Sequence, residues 1–200
     1  MAHPASRVTP FEIVALAASA GGLNALTRVL EMLPENFPAA LVVVQHVDPR
    51  HRSLMAEILA RRTPMPVTEA HEGDRVSPGH VYVAPSNRHL LVNSDGTLSL
   101  TQTELVHFVR PSADLLFEST AAAYGERAIA VVLSGSGHDG AMGVKAIKKT
   151  GGTVIVQDLR NAQFTGMPES AIATGVTDFV LPLDDIAPAI LTLCAVSAGR

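Results

Sequence analysis

The chain has 200 residues, of which 47% are hydrophobic and 17% are charged, and its formal net charge is −4. This length and apolar content suit a globular domain with a sizeable core, and they exclude an intrinsically disordered chain. The slight negative charge and the few aromatic residues provide neither the basic surface nor the stacking platform of a nucleic-acid-binding protein, so no nucleic-acid partner is expected.

The number of cysteines and the lengths of the apolar runs indicate where in the cell the protein is located. Cys194 is the only cysteine, which excludes an internal disulfide framework and is typical of a reducing compartment. No apolar run is long enough to span a bilayer, and residues 1–10 lack the pattern of a signal peptide. We therefore expect a cytoplasmic protein without membrane insertion.

The chain is expected to contain a single domain. Residues 1–10 are predicted to be a flexible tail, residues 11–196 a single domain and residues 197–200 a C-terminal tail.

The first predicted element is a buried strand that starts at Ile13, where a continuous run of apolar residues begins. Gly21 and Gly22 end this apolar stretch, and helical spacing of leucines follows over residues 23–33. Ser19 is therefore expected in a tight strand-to-helix turn, beside open N–H groups that favour negative charge. A hydroxyl beside such a site is what acyl transfer requires.

Strands and helices alternate along most of the remaining chain. We predict strands over residues 40–44, 67–70, 128–133, 153–157 and 179–181, and helices over residues 53–61, 112–124, 141–150, 167–175 and 186–196. Such alternation is typical of a doubly wound α/β fold, which has a mostly parallel sheet with helices on both faces.

The middle of the chain departs from this alternation of strands and helices. Three short β-rich segments over residues 81–84, 90–92 and 98–100 are separated by turn residues, including the pair Asp95-Gly96. An Asp-Gly pair between alternating residues is a hairpin signal. We therefore expect an antiparallel β-hairpin flap beside the main sheet.

Three chemically capable side chains each follow a separate predicted strand. Ser19 follows the first strand, His46 follows the second, and Asp139 follows the strand over residues 128–133. Because ligands of such sheets bind in the crevice beyond the carboxyl ends of the strands, these side chains are expected to converge. A catalytic triad is recognised by roles and not by chain order, so Ser-His-Asp is admissible.

Each of these residues also has a structural alternative. Ser19 and Asp139 could each cap the helix that follows them, and His46 could belong to a loop. Asp48 competes for the role of the carboxylate. Three further histidines compete for the role of the base: His89, His107 and His138.

A second motif favours a different function. Gly135, Gly137 and Gly140 form GxGxxG between a buried strand and a helix, and Asp158 follows the next strand. This pattern is typical of a dinucleotide-binding site, so a dinucleotide-binding protein is the main alternative. However, Asp139 would place a carboxylate inside the loop that cradles the pyrophosphate. The dinucleotide interpretation also leaves Ser19 and His46 unexplained.

The chain resembles the catalytic domain of the bacterial chemotaxis protein-glutamate methylesterase family over nearly its whole length. The resemblance rests on six blocks in the family's order: residues 18–22 (ASAGG), 45–46 (QH), 83–85 (VAP), 110–114 (RPSAD), 133–140 (LSGSGHDG) and 166–168 (GMP). It implies a methylesterase-like catalytic domain over residues 11–196. The family pattern has threonine at Ala20 and methionine at Val47 and Ser136.

The resemblance also implies roles for individual residues. Ser19 is the expected nucleophile, His46 the general base and Asp139 the carboxylate that orients His46. The backbone N–H groups of Ser136 and Ala20 are the expected oxyanion-hole donors.

Two residues are expected at the substrate. Arg110 would contact an acidic receptor helix at the mouth of the crevice, with a surface ion pair as the alternative. Met167 would line the substrate groove, with a place in the core as the alternative.

The implied reaction is hydrolysis of glutamyl γ-methyl esters on the cytoplasmic helices of methylated chemoreceptors, with deamidation of glutamine as a related activity. No cofactor and no metal are expected, and the chain is expected to be a monomer. Family members usually carry a receiver domain before the catalytic domain, whereas 12 residues precede the first predicted strand here. Three alternatives follow: a separate phosphorylated regulator controls the chain, the site is constitutively open, or the ester substrate is not a chemoreceptor. A non-catalytic signalling module on the same fold is a further alternative.

Overall fold

Seven parallel strands form the central sheet in the computed structural model, which describes residues 11–47 and 53–198. The strands in chain order are β1 Ile13–Ala18, β2 Ala40–Gln45, β3 Val67–Glu69, β4 Val81–Val83, β5 His89–Val92, β6 Leu98–Thr101, β7 Ala128–Val132, β8 Thr153–Gln157 and β9 Phe179–Leu181. The order across the sheet is β3-β4-β2-β1-β7-β8-β9, and β5 and β6 form a separate antiparallel hairpin. The predicted α/β class, mostly parallel sheet and hairpin flap are confirmed.

One detail of the prediction is wrong. The segment over residues 81–84 was expected to belong to the flap, but β4 lies in the main sheet, parallel to both β2 and β3. All three of its residues are buried, as central parallel strands require. The flap therefore consists of β5 and β6 alone.

Six α-helices of the described residues cover the two faces of the sheet. They are α1 Gly22–Glu31, α2 Met55–Ala60, α3 Ala113–Tyr124, α4 Ala141–Lys149, α5 Gly166–Ala173 and α6 Leu183–Ala198. Along β1, Val14 and Leu16 pack with α1, α2 and α6. Ile13 and Ala15 point the other way, toward α3, α4, α5 and the hairpin. Because both faces are covered, the strands are continuously apolar and do not alternate with polar residues.

The chain reverses its direction of travel across the sheet at β1. From β1 the chain moves through β2 toward β3, and it later returns to the other side of β1 as β7. Ala17 of β1 pairs with Val132 of β7, so the two strands end at nearly the same level. Such a switch point opens a crevice at the carboxyl ends of the strands. Ser19 and the loop over residues 133–140 both emerge there.

Some of the sequence predictions concern residues that the structure does not describe. The predicted tail over residues 1–10, the last two residues of the C-terminal tail and Asp48 all lie outside the described residues.

The described helices were also compared with what a membrane span requires. Among the helices of residues 11–47 and 53–198, none combines the length and the apolar character needed to cross a bilayer.

Helices α3 and α4 approach each other closely at Gly143. A Cβ atom at this position would lie 2.6 Å from Cβ of Phe117 and 3.0 Å from the backbone oxygen of Asp114. Neither atom is the end of a flexible side chain, so one helix would have to move. The contact brings the beginnings of α3 and α4 together, and both helices begin at the candidate site.

We predict that Gly143→Ala destabilises the protein by about 1–2 kcal/mol, measured by urea denaturation. Helix propensity alone favours alanine by about 1 kcal/mol, but the clash with Phe117 and Asp114 outweighs this gain. Met142→Ala is the matched control, because this neighbouring side chain is exposed; its effect should stay within about 0.5 kcal/mol. A stabilised Gly143→Ala variant would contradict the close approach of the helices.

Candidate active site

Ser19 lies in the turn between β1 and α1, and its backbone is fixed from two sides. Its N–H donates to the carbonyl of Ser134 at 3.0 Å. Its own carbonyl accepts from Gly22 N–H at 2.8 Å and from Nε2 of Gln45 at 2.7 Å. The N-cap of α1 is Gly21, with φ of 72°, and no side chain caps this helix. The helix-cap alternative for Ser19 is therefore wrong.

Gln45 has a role that the sequence analysis missed. This buried amide at the end of β2 donates to the carbonyls of both Ser19 and His46, at 2.7 and 3.0 Å. A Cβ atom on Gly22 would lie only 2.1 Å from Oε1 of Gln45, so the bridge requires glycine there. The signal in the sequence is a single amide at the end of an otherwise apolar strand.

Ser134 supports the same turn from the opposite side. Its Oγ donates to the carbonyl of Ala20 at 2.9 Å, and its N–H donates to Oε1 of Gln157 at 2.8 Å. Ala20 has no polar side chain of its own, and the bond from Ser134 holds its backbone carbonyl. The turn is thus tied to the ends of β7 and β8 as well as to β2.

His46 and Asp139 are in direct contact. Nε2 of His46 lies 2.8 Å from Oδ2 of Asp139, and only 3% of the Asp139 side chain is exposed. Because a carboxylate accepts, Nε2 carries the proton and Nδ1 remains as the basic nitrogen. This pairing gives His46 the tautomer that a general base needs.

Asp139 is also bound to the beginning of α3. It accepts from Ala113 N–H at 2.6 Å, Asp114 N–H at 3.0 Å and Oγ of Ser112 at 2.9 Å. Burial on its own raises the pKa of Asp139, but the hydrogen bonds from His46, Ala113 and Asp114 outweigh burial and lower it. The carboxylate therefore stays ionised, and it serves the beginning of α3. The alternative that Asp139 caps α4 is wrong, because Gly140 is the N-cap of that helix and the backbone N–H groups that donate to Asp139 belong to α3.

Asp114 makes the reciprocal contact from α3 to α4. Its Oδ1 accepts from Gly140 N–H at 3.0 Å and from Gly143 N–H at 2.7 Å. Its Oδ2 lies 3.1 Å from Nε2 of His107. Each of the two helices thus begins on a buried carboxylate supplied from the beginning of the other, and each carboxylate also holds a histidine.

Ser19, His46 and Asp139 line one cleft of about 120 Å³, which we call the triad cleft. Its other lining residues are His107, Val109, Ser136, Gly137 and His138. Within the described part of the chain, the backbone N–H groups of Ala20 and Ser136 donate to no protein acceptor. They are therefore available to a developing negative charge, as oxyanion-hole donors must be.

Gly135 and Met167 pack directly behind Ser19. A Cβ atom on Gly135 would lie 3.0 Å from Cβ of Ser19 and 2.3 Å from Sδ of Met167. Only 1% of Met167 is exposed, and its N–H donates to the carbonyl of Gly135 at 2.9 Å. The Met167 side chain was expected to line the substrate groove, with a place in the core as the alternative. The structure places it in the core, where it packs behind Ser19.

Arg110 stands at the rim of a second cleft, of about 130 Å³, that also contains His46 and Val109. Its guanidinium donates twice to Oδ1 of Asn87, at 3.0 and 2.7 Å, and to the carbonyls of Gln102 and Thr103, at 3.3 and 2.6 Å. All of these acceptors are neutral, so the bonds of Arg110 differ from the surface ion pair that was the alternative to contact with a receptor helix. Of the five N–H groups of a guanidinium, one remains without a partner among the described residues.

The rival histidines have other partners. His89 is fully buried, accepts from Ser112 N–H at 3.1 Å and donates to the carbonyl of Glu104 at 3.0 Å. Burial lowers the pKa of His89, so it is a neutral link between the flap and α3. His138 is exposed and lies 3.1 Å from His107. Among the histidines of residues 11–47 and 53–198, only His46 is hydrogen-bonded to Asp139.

The glycine motif has structural reasons that do not involve a nucleotide. Gly135 is required by the packing of Met167, while Gly137 and Gly140 have φ of 85° and 103°. Asp158, the expected ribose ligand, is paired with Arg160 instead, and hydrogen bonds from Arg160 lower the pKa of Asp158 to about 2. In residues 11–47 and 53–198, no group of three or more His, Cys, Asp or Glu side chains could hold a metal ion.

Comparisons with known proteins agree on one family. The sequence model of the CheB methylesterase family matches residues 14–190. A relative from Leptospira interrogans is 40% identical over 183 residues, which are 92% of this chain and 95% of the relative. A protein-glutamate methylesterase/protein-glutamine glutaminase of Moorella thermoacetica is 41% identical over 186 residues, covering 91% of this chain and 44% of that protein. The crystal structure of the Thermotoga maritima CheB methylesterase catalytic domain has a TM-score of 0.87 and 37% identity, covering 91% of this chain and 98% of that one.

The lowered pKa of Asp139 predicts a pH-dependent contribution to stability. Its folded-state pKa lies below the ordinary value of 3.8, so its bonds stabilise the protein above that pH and are lost as the pH falls through the folded-state value. The destabilisation caused by Asp139→Asn should therefore be largest near neutral pH and shrink below about pH 4. Urea denaturation of both proteins at a series of pH values measures it. A difference that stays constant into the acid range would mean that the carboxylate is not held in its charged form.

Proposed function

The chain belongs to the CheB methylesterase family, and we propose that it hydrolyses glutamyl γ-methyl esters of chemoreceptors with Ser19 as nucleophile, His46 as general base and Asp139 as the residue that orients His46. The observation that carries this proposal is the 2.8 Å contact between His46 and Asp139 in a cleft that Ser19 also lines. The same proposal assigns the protein to the cytoplasm, where the receptor helices that carry the esters lie.

The first half of the reaction forms an acyl-enzyme. Nδ1 of His46 takes the proton of the Ser19 hydroxyl, and Oγ attacks the carbonyl carbon of the ester. The positive charge that His46 then carries is stabilised by the ionised Asp139. His46 next gives this proton to the leaving methoxide, which departs as methanol.

The second half restores the enzyme. Water enters the cleft, His46 takes its proton, and the hydroxide attacks the acyl carbon bound to Oγ of Ser19. The tetrahedral intermediate collapses with release of a glutamate side chain, and the proton returns to Ser19. Replacing the methoxide by an amide nitrogen gives ammonia as the leaving group, so deamidation of glutamine uses the same residues.

The negative charge on the carbonyl oxygen needs donors in both halves. We assign this role to the backbone N–H groups of Ala20 and Ser136, which have no acceptor in the described part of the chain. The two groups come from the turns after β1 and β7. Because a backbone donor does not depend on the side chain, serine in place of the family's methionine at position 136 leaves this role intact.

The proposed partners follow from the reaction. The substrate is the methylated cytoplasmic helix of a chemoreceptor, and a separate phosphorylated protein is the proposed regulator. A non-catalytic signalling module and a dinucleotide-binding protein are the outcomes that would replace this proposal.

We predict that Ser19→Ala lowers kcat for a methylated chemoreceptor fragment by about 10⁶-fold, because the three residues act as a unit. Methanol release measures turnover, and labelling by a serine-directed fluorophosphonate measures the nucleophile separately. Ser94→Ala is the matched control, since Ser94 is exposed in the turn of the flap, and it should react and label like the unaltered chain.

Three results would overturn the proposal in different ways. Full activity in Ser19→Ala would assign the nucleophile to another residue. An unaltered chain that binds receptor fragments but neither labels nor releases methanol would be a signalling module. Saturable NAD(P) binding by calorimetry, weakened by Gly135→Val, would support the dinucleotide interpretation.

A further inference from the structure

The loop before Arg110 contains a tight turn with an unusual sequence. Val106 and Val109 exchange two backbone hydrogen bonds, at 3.2 and 2.9 Å, so His107 and Phe108 are the central residues. Their φ angles are 50° and 66°. Two positive φ values are what a type I′ turn requires, and Asn-Gly is the pair that adopts them most readily. Histidine and phenylalanine adopt this conformation only at a cost.

The side-chain contacts of His107 explain why the first central residue of this turn keeps a positive φ. Its Nε2 contacts Oδ2 of Asp114 at 3.1 Å, and its Nδ1 contacts Nε2 of His138 at 3.1 Å. Because Asp114 is buried and bonded to the beginning of α4, these contacts fix the backbone at residue 107. A strained conformation persists only where the surrounding structure determines it, and here His107 supplies that constraint.

Phe108 receives no such compensation within the described structure. Its residue surface is 95% exposed, so an aromatic ring stands in solvent on a backbone that disfavours it. A patch of neighbouring exposed apolar residues marks a contact site for a ligand or partner, whereas a single exposed residue does not. Packing among the described residues therefore does not explain the phenylalanine, whereas contact with a bound molecule does.

Phe108 lies beside the candidate active site. It lines the cleft of about 130 Å³ together with Leu105, which is also exposed, and with Arg110. This cleft shares the lining residues His46 and Val109 with the triad cleft, so the two lie side by side. A molecule whose ester reaches Ser19 would extend past His46 onto this apolar and basic rim.

We propose that Phe108 is a specificity-determining residue that packs on the apolar surface of the substrate's helix next to the methylated glutamate. This inference rests on the proposed function. The occupant is a helical protein segment with acidic residues near the ester, because the remaining N–H group of Arg110 can receive a carboxylate beside the apolar contact. Phe108 touches the substrate protein and not the reacting atoms.

The test compares two substrates, a methylated chemoreceptor fragment and a small aryl ester that cannot reach the rim. In Phe108→Gly, the ratio of kcat/KM for the fragment to kcat/KM for the small ester should fall about tenfold or more, mainly through KM. Phe108→Leu should keep most of the ratio because it keeps an apolar side chain. Phe179→Ser, which removes an exposed phenylalanine on the edge strand β9, should leave both substrates unaffected.

Thermal unfolding separates recognition from a structural role. Glycine relieves the positive φ and removes no buried contact, so the midpoint of unfolding of Phe108→Gly should not fall. An unchanged ratio, or a fall in the midpoint with equal losses on both substrates, would overturn the inference. If the unaltered chain hydrolyses neither substrate, the proposed function itself fails; if it hydrolyses both and the ratio is unchanged, only the role of Phe108 fails.

Discussion

The site depends on two buried carboxylates that the beginnings of α3 and α4 exchange. Asp139 precedes α4 and binds the first N–H groups of α3, while Asp114 in α3 binds N–H groups at the beginning of α4. An isolated carboxylate would be costly to bury, but helix N-termini supply donors and a favourable dipole. Each carboxylate is thus held in place by backbone N–H groups of the other helix. Asp139 can then hold His46, and Asp114 can hold His107.

Ser19, the proposed nucleophile, is positioned by a different kind of constraint, the packing of strand ends. Gln45 bridges the backbones of Ser19 and His46. The atoms around Gly22 and Gly135 leave no room for a side chain at either position. The serine turn is therefore a close approach of β1, β2 and the loop after β7. Rigid elements of this kind hold reacting groups in place more precisely than mobile loops do.

Much of this arrangement could be predicted from the sequence, for physical reasons that also set the limits. Apolar runs alternating with amphipathic segments predict a parallel sheet, and parallel strands bring their ends to one edge, which is why Ser19, His46 and Asp139 could be grouped in advance. The partners of Asp139 could not, because capping its own helix was the simpler expectation for an aspartate in a glycine turn. The exchange with Asp114 depends on how closely α3 and α4 cross, which no local pattern encodes. The bonds of Arg110 likewise depend on the path of loops that are distant in sequence.

In the proposed site, Asp139 is fixed by the beginning of α3 and makes His46 a base for Ser19. The rate at which a fluorophosphonate labels Ser19 in Asp139→Asn tests this role directly, with folding checked by circular dichroism. We expect the rate to fall about 10³-fold or more in a folded protein, because an amide does not hold the imidazole in the required tautomer or stabilise its charge. A folded variant that labels as fast as the unaltered chain would contradict it.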